Sequence, residues 1–184
     1  MEFLNPESIV AQIGIQPGMS VADFGSGSGH LAILMAQKIG KEGRLYAVDI
    51  LEDKLDSVRV RAKAAGLENI ETIRANLEVL GSSGLADGSQ DMVILINILF
   101  QSEKKQDIFA ESKRVLKNGG RIVIIDWKKG AGALPAGRQG LGPPDNLRTD
   151  EPTMQSILSS AGFSFERNFD TSPFHYGQIF TKPA

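Results

Sequence analysis

The sequence predicts an α/β fold: a doubly wound, mostly parallel sheet of seven strands that ends in an antiparallel hairpin strand. Three observations predict it. Apolar β-type runs alternate with helical patterns almost from end to end, the arrangement that right-handed βαβ units over a parallel sheet produce. Residues 91–96 form a near-continuous apolar run, as a strand buried on both faces requires. The last two alternating runs, 163–169 and 174–180, are too close together for a crossover helix, so they pair antiparallel.

The elements follow in order. Asn5 before Pro6 and Glu7 reads as the cap and first turn of a short helix that Gly14 closes. Residues 19–24 are a short strand and 25–29 a glycine-rich loop. Apolar residues at helical spacing make 31–39 a helix with Gly40 as its stop. Residues 44–49 are a second strand, 51–65 a charged amphipathic helix stopped by Gly66, and 70–74 an alternating third strand. After the buried fourth strand, 103–116 is helical, Asn118-Gly119-Gly120 ends that helix, and 121–127 is the fifth strand. Composition then shifts: five glycines and three prolines fall within 130–146, which reads as a flexible exposed loop. Residues 151–161 form the last helix, capped by Asp150 and stopped by Gly162.

Composition narrows the function. A length of 184 residues suits one domain spanning 1–184. With no cysteine, disulfides, thiolate metal sites, a cysteine nucleophile and a cysteine-ligated iron–sulfur cluster are all excluded. Only His30 and His175 are present, far apart in sequence, so histidine metal binding is nearly closed and no metal is expected. A net charge of −2 argues against a nucleic-acid partner. The longest apolar stretch, 92–100, contains Asn97 and falls far below the ~20 residues of a membrane span. Residues 1–14 lack the basic start and apolar core of a signal peptide, so the cytoplasm is the default location.

The chemistry concentrates in Val21-Ala-Asp-Phe-Gly-Ser-Gly-Ser-Gly29, between a strand and a helix. Glycine there allows tight turning and close approach of a ligand to bare main chain. The following helix N-terminus offers free N–H groups and positive dipole to an anionic group. Asp49 ends the next strand about twenty residues on, where a carboxylate can take both hydroxyls of a ribose. A tight strand–helix turn alone would explain the glycines but not their company with Asp49. Together they read as a nucleoside-cofactor site at the carboxyl edge of a parallel sheet. Gly27-x-Gly29-x-x-Ala32 matches the dinucleotide fingerprint, which keeps an NAD(P)-dependent oxidoreductase open as an alternative. Against it, Asp23 would meet a pyrophosphate unfavourably, whereas the ammonium of an amino-acid-bearing cofactor would use it.

On these motifs the chain resembles the class I S-adenosylmethionine-dependent methyltransferases, of the small-molecule type similar to the ubiquinone/menaquinone-biosynthesis enzymes, with their Rossmann-like sheet. Pro17-Gly-Met-Ser-Val-Ala-Asp-Phe-Gly-Ser-Gly-Ser-Gly29 is similar to that family's first motif and Arg44-Leu-Tyr-Ala-Val-Asp-Ile50 to its second. Asp91-Met-Val-Ile-Leu-Ile-Asn97 resembles the fourth, and Arg114-Val-Leu-Lys-Asn-Gly-Gly-Arg-Ile-Val-Ile124 the segment into the fifth strand. The resemblance implies that S-adenosylmethionine is the cofactor. It implies that Gly25, Ser26, Gly27 and Gly29 form the loop against its methionine part, with Asp23 near the ammonium. Asp49 would bind the ribose hydroxyls, Ile50 and Leu77 would sandwich the adenine, and Asn97 would line the pocket near the sulfonium. Asn76 stands where the family has an acidic adenine contact, and supplies a neutral amide oxygen instead.

The resemblance implies methyl transfer to an unidentified small molecule by in-line displacement, where positioning contributes up to ~7–11 kcal/mol. Asn97-Ile-Leu-Phe100 lacks the two prolines used on DNA and protein amides, which speaks against those acceptors. His175, Tyr176, Asp126, Trp127 and Arg148 are conceivable acceptor-side groups, with packing the plainer account of each, and no base is assigned. The loop at 130–146 is expected to lie over or beside the acceptor pocket. A non-catalytic cofactor-binding subunit with the same motifs stays open, as does the oligomeric state.

Overall fold

In a computed structural model, residues 4–132 and 142–184 are described. The middle of the expected flexible loop, 133–141, lies outside them. Asn5 opens α1 (Pro6–Gln12), its side-chain oxygen accepting the Ser8 N–H at 2.9 Å. There follow β1 (Ser20–Phe24), α2 (His30–Ile39), β2 (Arg44–Asp49), α3 (Glu52–Ala64), β3 (Ile70–Arg74) and β4 (Gln90–Ile96). Beyond a 3₁₀ turn at Leu99–Gln101 come α4 (Lys105–Val115), β5 (Leu116–Trp127), α5 (Glu151–Ser160), β6 (Ser164–Ser172) and β7 (His175–Thr181).

The seven strands form one sheet in the order β3-β2-β1-β4-β5-β7-β6. The pairings from β3 through β5 are parallel, and β7 runs antiparallel to both β5 and β6. Both faces are covered, which is why β4 is apolar on both sides. On one face Ile9, Ala32, Met35 and Val58 from α1, α2 and α3 pack against Val21, Met92, Ile94 and Val123. On the other Phe109, Met154 and Leu158 from α4 and α5 pack against Phe24, Val93, Leu95 and Ile124. The expected doubly wound sheet and its antiparallel C-terminal strand are both present.

The main departure is at β5. Leu116 already pairs with Gln90, and the ladder resumes at Met92 with Arg121, so 117–120 bulge rather than end a helix freely. The bulge is paired from the far end of the chain: the Gly119 N–H donates to the Lys182 carbonyl and the Lys182 N–H to the Gly120 carbonyl, each at 2.8 Å. α4 begins two residues later than its charge pattern suggests, because the Ser102 hydroxyl accepts the Lys104 N–H at 2.9 Å and holds the chain extended up to it. β1 and β4 are neighbours whose connections leave in opposite directions, so their carboxyl ends open a crevice.

Candidate functional site

That crevice is a cavity of about 550 Å³ at the carboxyl ends of β1, β2, β3 and β4. Among the sequence-derived residues Gly25, Gly27, Asp49, Ile50, Asn76, Leu77 and Asn97 line it, whereas Asp23, Ser26 and Gly29 do not. β1 and β2 run in register with Phe24 beside Val48, which delivers the glycine loop and Asp49 to the same edge. The loop is fastened to that edge by the N–H groups of Gly25 and Ser26, which donate to the Val48 carbonyl at 2.7 and 3.1 Å.

Asp49 has a structural task. One carboxylate oxygen accepts the Gly27 N–H at 2.9 Å and the other the Leu51 N–H at 3.0 Å, so it sets both the loop and the start of α3. A carboxylate has about four lone-pair sites, which leaves acceptor capacity facing the cavity.

The three glycines are there for different reasons. All have positive φ, at 77°, 52° and 79° for Gly25, Gly27 and Gly29. A Cβ on Gly25 would lie 2.4 Å from the Ile98 side chain, and one on Gly29 would lie 2.7 Å from Val58. Those two positions are small so that neighbouring protein can close in. At Gly27 nothing lies within 4 Å of the missing Cβ, and this is the bare main chain that faces open space.

Asp23 is 3% exposed. Burial, reinforced by repulsion from Asp49, lifts its carboxyl from 3.8 to about 7. Two further polar atoms, Ser26 Oγ in the glycine loop and Asn97 Oδ1 on the cavity-lining Asn97, are buried without a hydrogen-bond partner among the described residues. Asn97 also carries the only positive φ of a non-glycine residue among the described residues, 55°, a left-handed turn that asparagine tolerates and that lifts the chain off β4. The Ile50 side chain is 53% exposed at the rim and Leu77 is 9% exposed. Asn76 spends its side-chain oxygen partly on the Glu78 N–H, at 3.0 Å.

Sequence reasoning missed Ile98, Glu78 and Ser102, which also line the cavity. The Ser102 hydroxyl donates to Glu78 at 2.6 Å and ties the segment after β3 to the segment after β4. No spacing rule links residues 24 apart on two loops, so the pair left no signal. Among the described residues no group of three or more His, Asp or Glu side chains is placed to hold a metal, and no helix is long and apolar enough to cross a membrane.

Known proteins resemble this chain in sequence and fold. The family described as "Methyltransferase domain" matches residues 15–158. An arsenite methyltransferase of Halobacterium salinarum is 33% identical over 157 residues, covering 85% of this chain and 36% of that protein. A demethylmenaquinone methyltransferase of Listeria welshimeri is 34% identical over 112 residues, covering 61% of this chain and 46% of that protein. The chain therefore spans between a third and a half of the length of these curated relatives. A solved structure of a SAM dependent methyltransferase from Aquifex aeolicus superposes with a TM-score of 0.85 at 25% identity, covering 98% of this chain and 91% of that one.

Proposed function

The chain belongs to the S-adenosylmethionine-dependent methyltransferase family, and from that premise we propose that it binds S-adenosylmethionine in the cavity at β1, β2 and β4 and methylates a small-molecule acceptor. The observation that carries the reading is the convergence on one cavity of Asp49, with spare acceptor capacity, the open main chain of Gly27, and the apolar pair Ile50 and Leu77. When bound, S-adenosylmethionine supplies a methyl group on a sulfonium, open to attack by a nucleophilic lone pair.

The residues present fit that group. Ser26 Oγ and Asn97 Oδ1 are buried acceptors in need of donors, and a cofactor ammonium brings three. The Asp23 carboxyl, near the end of β1 and close enough to Asp49 to feel its charge, gains from a cation nearby. Asp49 takes ribose hydroxyls on its free lone pairs, Ile50 and Leu77 enclose the adenine, and Asn76 offers its half-used amide oxygen to the adenine amino group. Asn97, lifted off β4, borders the position of the sulfonium. The chain supplies no nucleophile of its own to the transfer; it orients the acceptor and excludes water. As(III) is a soft centre that thiolates hold, and these 184 residues supply no thiolate to hold it. Family membership removes the reason to prefer a nicotinamide cofactor.

Calorimetric titration with S-adenosylhomocysteine tests the reading, followed by methyl release over a panel of acceptors. One site per chain is expected. A folded protein that gives no heat and no thermal shift at millimolar S-adenosylhomocysteine would overturn it, and binding without methyl release from any acceptor would reduce the chain to a cofactor-binding subunit.

A further inference from the structure

A second cavity, of about 350 Å³, lies two strands away on the same sheet edge, between the start of α5 and the β6–β7 hairpin. Tyr176 and Gln178 line it, 3% and 1% exposed respectively. The Tyr176 hydroxyl and Gln178 Oε1 are both buried without a hydrogen-bond partner among the described residues. Burying such groups unpaired costs about 1–3 kcal/mol each, a cost that a hydroxyl group entering from the cavity, like an ordered water, relieves. We propose that this cavity binds a small neutral molecule carrying at least two hydroxyl groups, through the Tyr176 hydroxyl and Gln178 Oε1, and that this molecule is the methyl acceptor. The last clause rests on the function proposed above; the binding does not.

The chemistry of the walls selects the ligand. The Gln178 amide nitrogen donates to the Glu151 carbonyl and to Asn168 Oδ1, both at 3.3 Å. Its oxygen is thereby turned toward the remaining direction, and it can only accept, so the ligand must donate. Burial, then the nearby carboxylates of Asp126, Glu151 and Asp150, hold the Tyr176 hydroxyl well above its ordinary range, so it stays protonated and both donates and accepts. A hydroxyl group meets either demand. Residues 176 and 178 project from the same face of β7 with their Cα atoms roughly 7 Å apart, and a molecule with hydroxyls a few bonds apart bridges them. Two lysines, Lys128 and Lys129, face two carboxylates, Asp150 and Glu151, and a field of mixed sign offers nothing to a multiply charged ligand. The α5 N-terminus is already capped, with Asp150 accepting the Thr153 N–H at 2.9 Å, so it is no anion site. Since β7 adjoins β5 and β5 adjoins β4, the cavity stands roughly 10 Å from Asn97 by strand spacing, within the reach of a small acceptor.

Erythritol is the probe, with its tetramethyl ether, which accepts but cannot donate, as control. The Gln178 side-chain amide and the backbone N–H groups of residues 176–178 of the full chain are followed by NMR. Erythritol should give saturable shifts in the millimolar range, and the ether at least tenfold weaker ones. Tyr176→Phe and Gln178→Met should each weaken erythritol at least tenfold, with thermal unfolding and S-adenosylhomocysteine affinity kept within twofold. Gln178→Met also deletes two side-chain hydrogen bonds, so Tyr176→Phe is the decisive variant if the other fails to fold. No saturable shift, an equal response to the ether, or an unchanged response in Tyr176→Phe overturns the site. Erythritol binding without S-adenosylhomocysteine binding removes the methyltransferase reading and leaves the site; the converse removes only the site.

Discussion

Asp23 titrates against the fold. Its carboxyl is lifted from 3.8 to about 7, so between those pH values the native chain holds a proton that the unfolded chain has lost. Its contribution is therefore fully favourable below about pH 4 and is lost as pH rises through about 7. Asp23→Asn should be more stable than the parent at pH 8, by up to about 4 kcal/mol at the limit of that shift, and the two should converge near pH 4; urea unfolding across that range reads it. A cofactor ammonium beside Asp23 would reverse the shift, so binding should release a proton near pH 7, visible as calorimetric heats that depend on buffer ionisation. Asp49→Ala should weaken S-adenosylhomocysteine ten- to a hundredfold, since hydrogen bonds to a charged group contribute about 1.5–3 kcal/mol. It should also lower stability, because the Gly27 and Leu51 N–H groups lose their partner; unchanged affinity in a folded variant would remove Asp49 from the ribose role. That structural task was not legible in the sequence. The spacing from the glycine loop to Asp49 indicated a shared ligand, whereas the carboxylate also holds the loop itself. The glycines were legible as a group, but only the packed neighbours Ile98 and Val58 reveal which ones serve the protein.

Among the elements, α4 holds the cavity wall. Glu111 is fully buried on it and accepts from the Gly81 N–H at 2.6 Å, the Ser83 N–H at 3.3 Å, the Ser83 hydroxyl, and Arg114 at 2.8 and 3.0 Å. Burial alone would raise its carboxyl, but the hydrogen bonds from Arg114, Ser83 and Gly81 win and hold it down at about 2. This contribution is present above the ordinary value of 4.5 and is lost as pH falls toward about 2, opposite in sign to Asp23. Glu111→Gln should cost roughly 1–3 kcal/mol, because Arg114 keeps Asp87 as an ion-pair partner while the charge-assisted hydrogen bonds at Glu111 are lost. It should also weaken S-adenosylhomocysteine, since the loop it fastens continues from Asn76, Leu77 and Glu78 in the cavity. Chemical denaturation and calorimetry together check this; a stable variant with normal affinity would show that the loop holds without the latch. β1, α2, β2 and β4 were legible because their periodicity and stop residues are local. The latch joins residues 28–30 apart, and the β5 bulge is completed by Lys182. Such long-range pairings leave no period in the sequence.

For the molecule as a whole, alternation of element types was enough to read a doubly wound sheet, while strand order was not, since alternation is the same for any order. Ligand binding should be felt globally. At about 100 times its dissociation constant S-adenosylhomocysteine should add about 2.7 kcal/mol, a rise in melting temperature of roughly 5–10 °C for a chain of this size, and a thermal scan against NADH as control reads it. The position of β7 has a further consequence, for synthesis. β7, the later strand of the hairpin, is seated inside the sheet between β5 and the earlier β6, and Lys182 just beyond it pairs the β5 bulge. As the polypeptide leaves the ribosome, β1 to β5 can assemble in the order they emerge, but β6 appears before β7, its one strand neighbour among the described residues, exists. Until 175–182 follow, β5 presents a raw hydrogen-bonding edge and β6 hangs unpaired, two adhesive surfaces on one nascent chain. Stalling or premature termination just short of residue 175 would therefore leave a product lacking β7 that is sticky rather than merely weakened, and a clear substrate for holding chaperones.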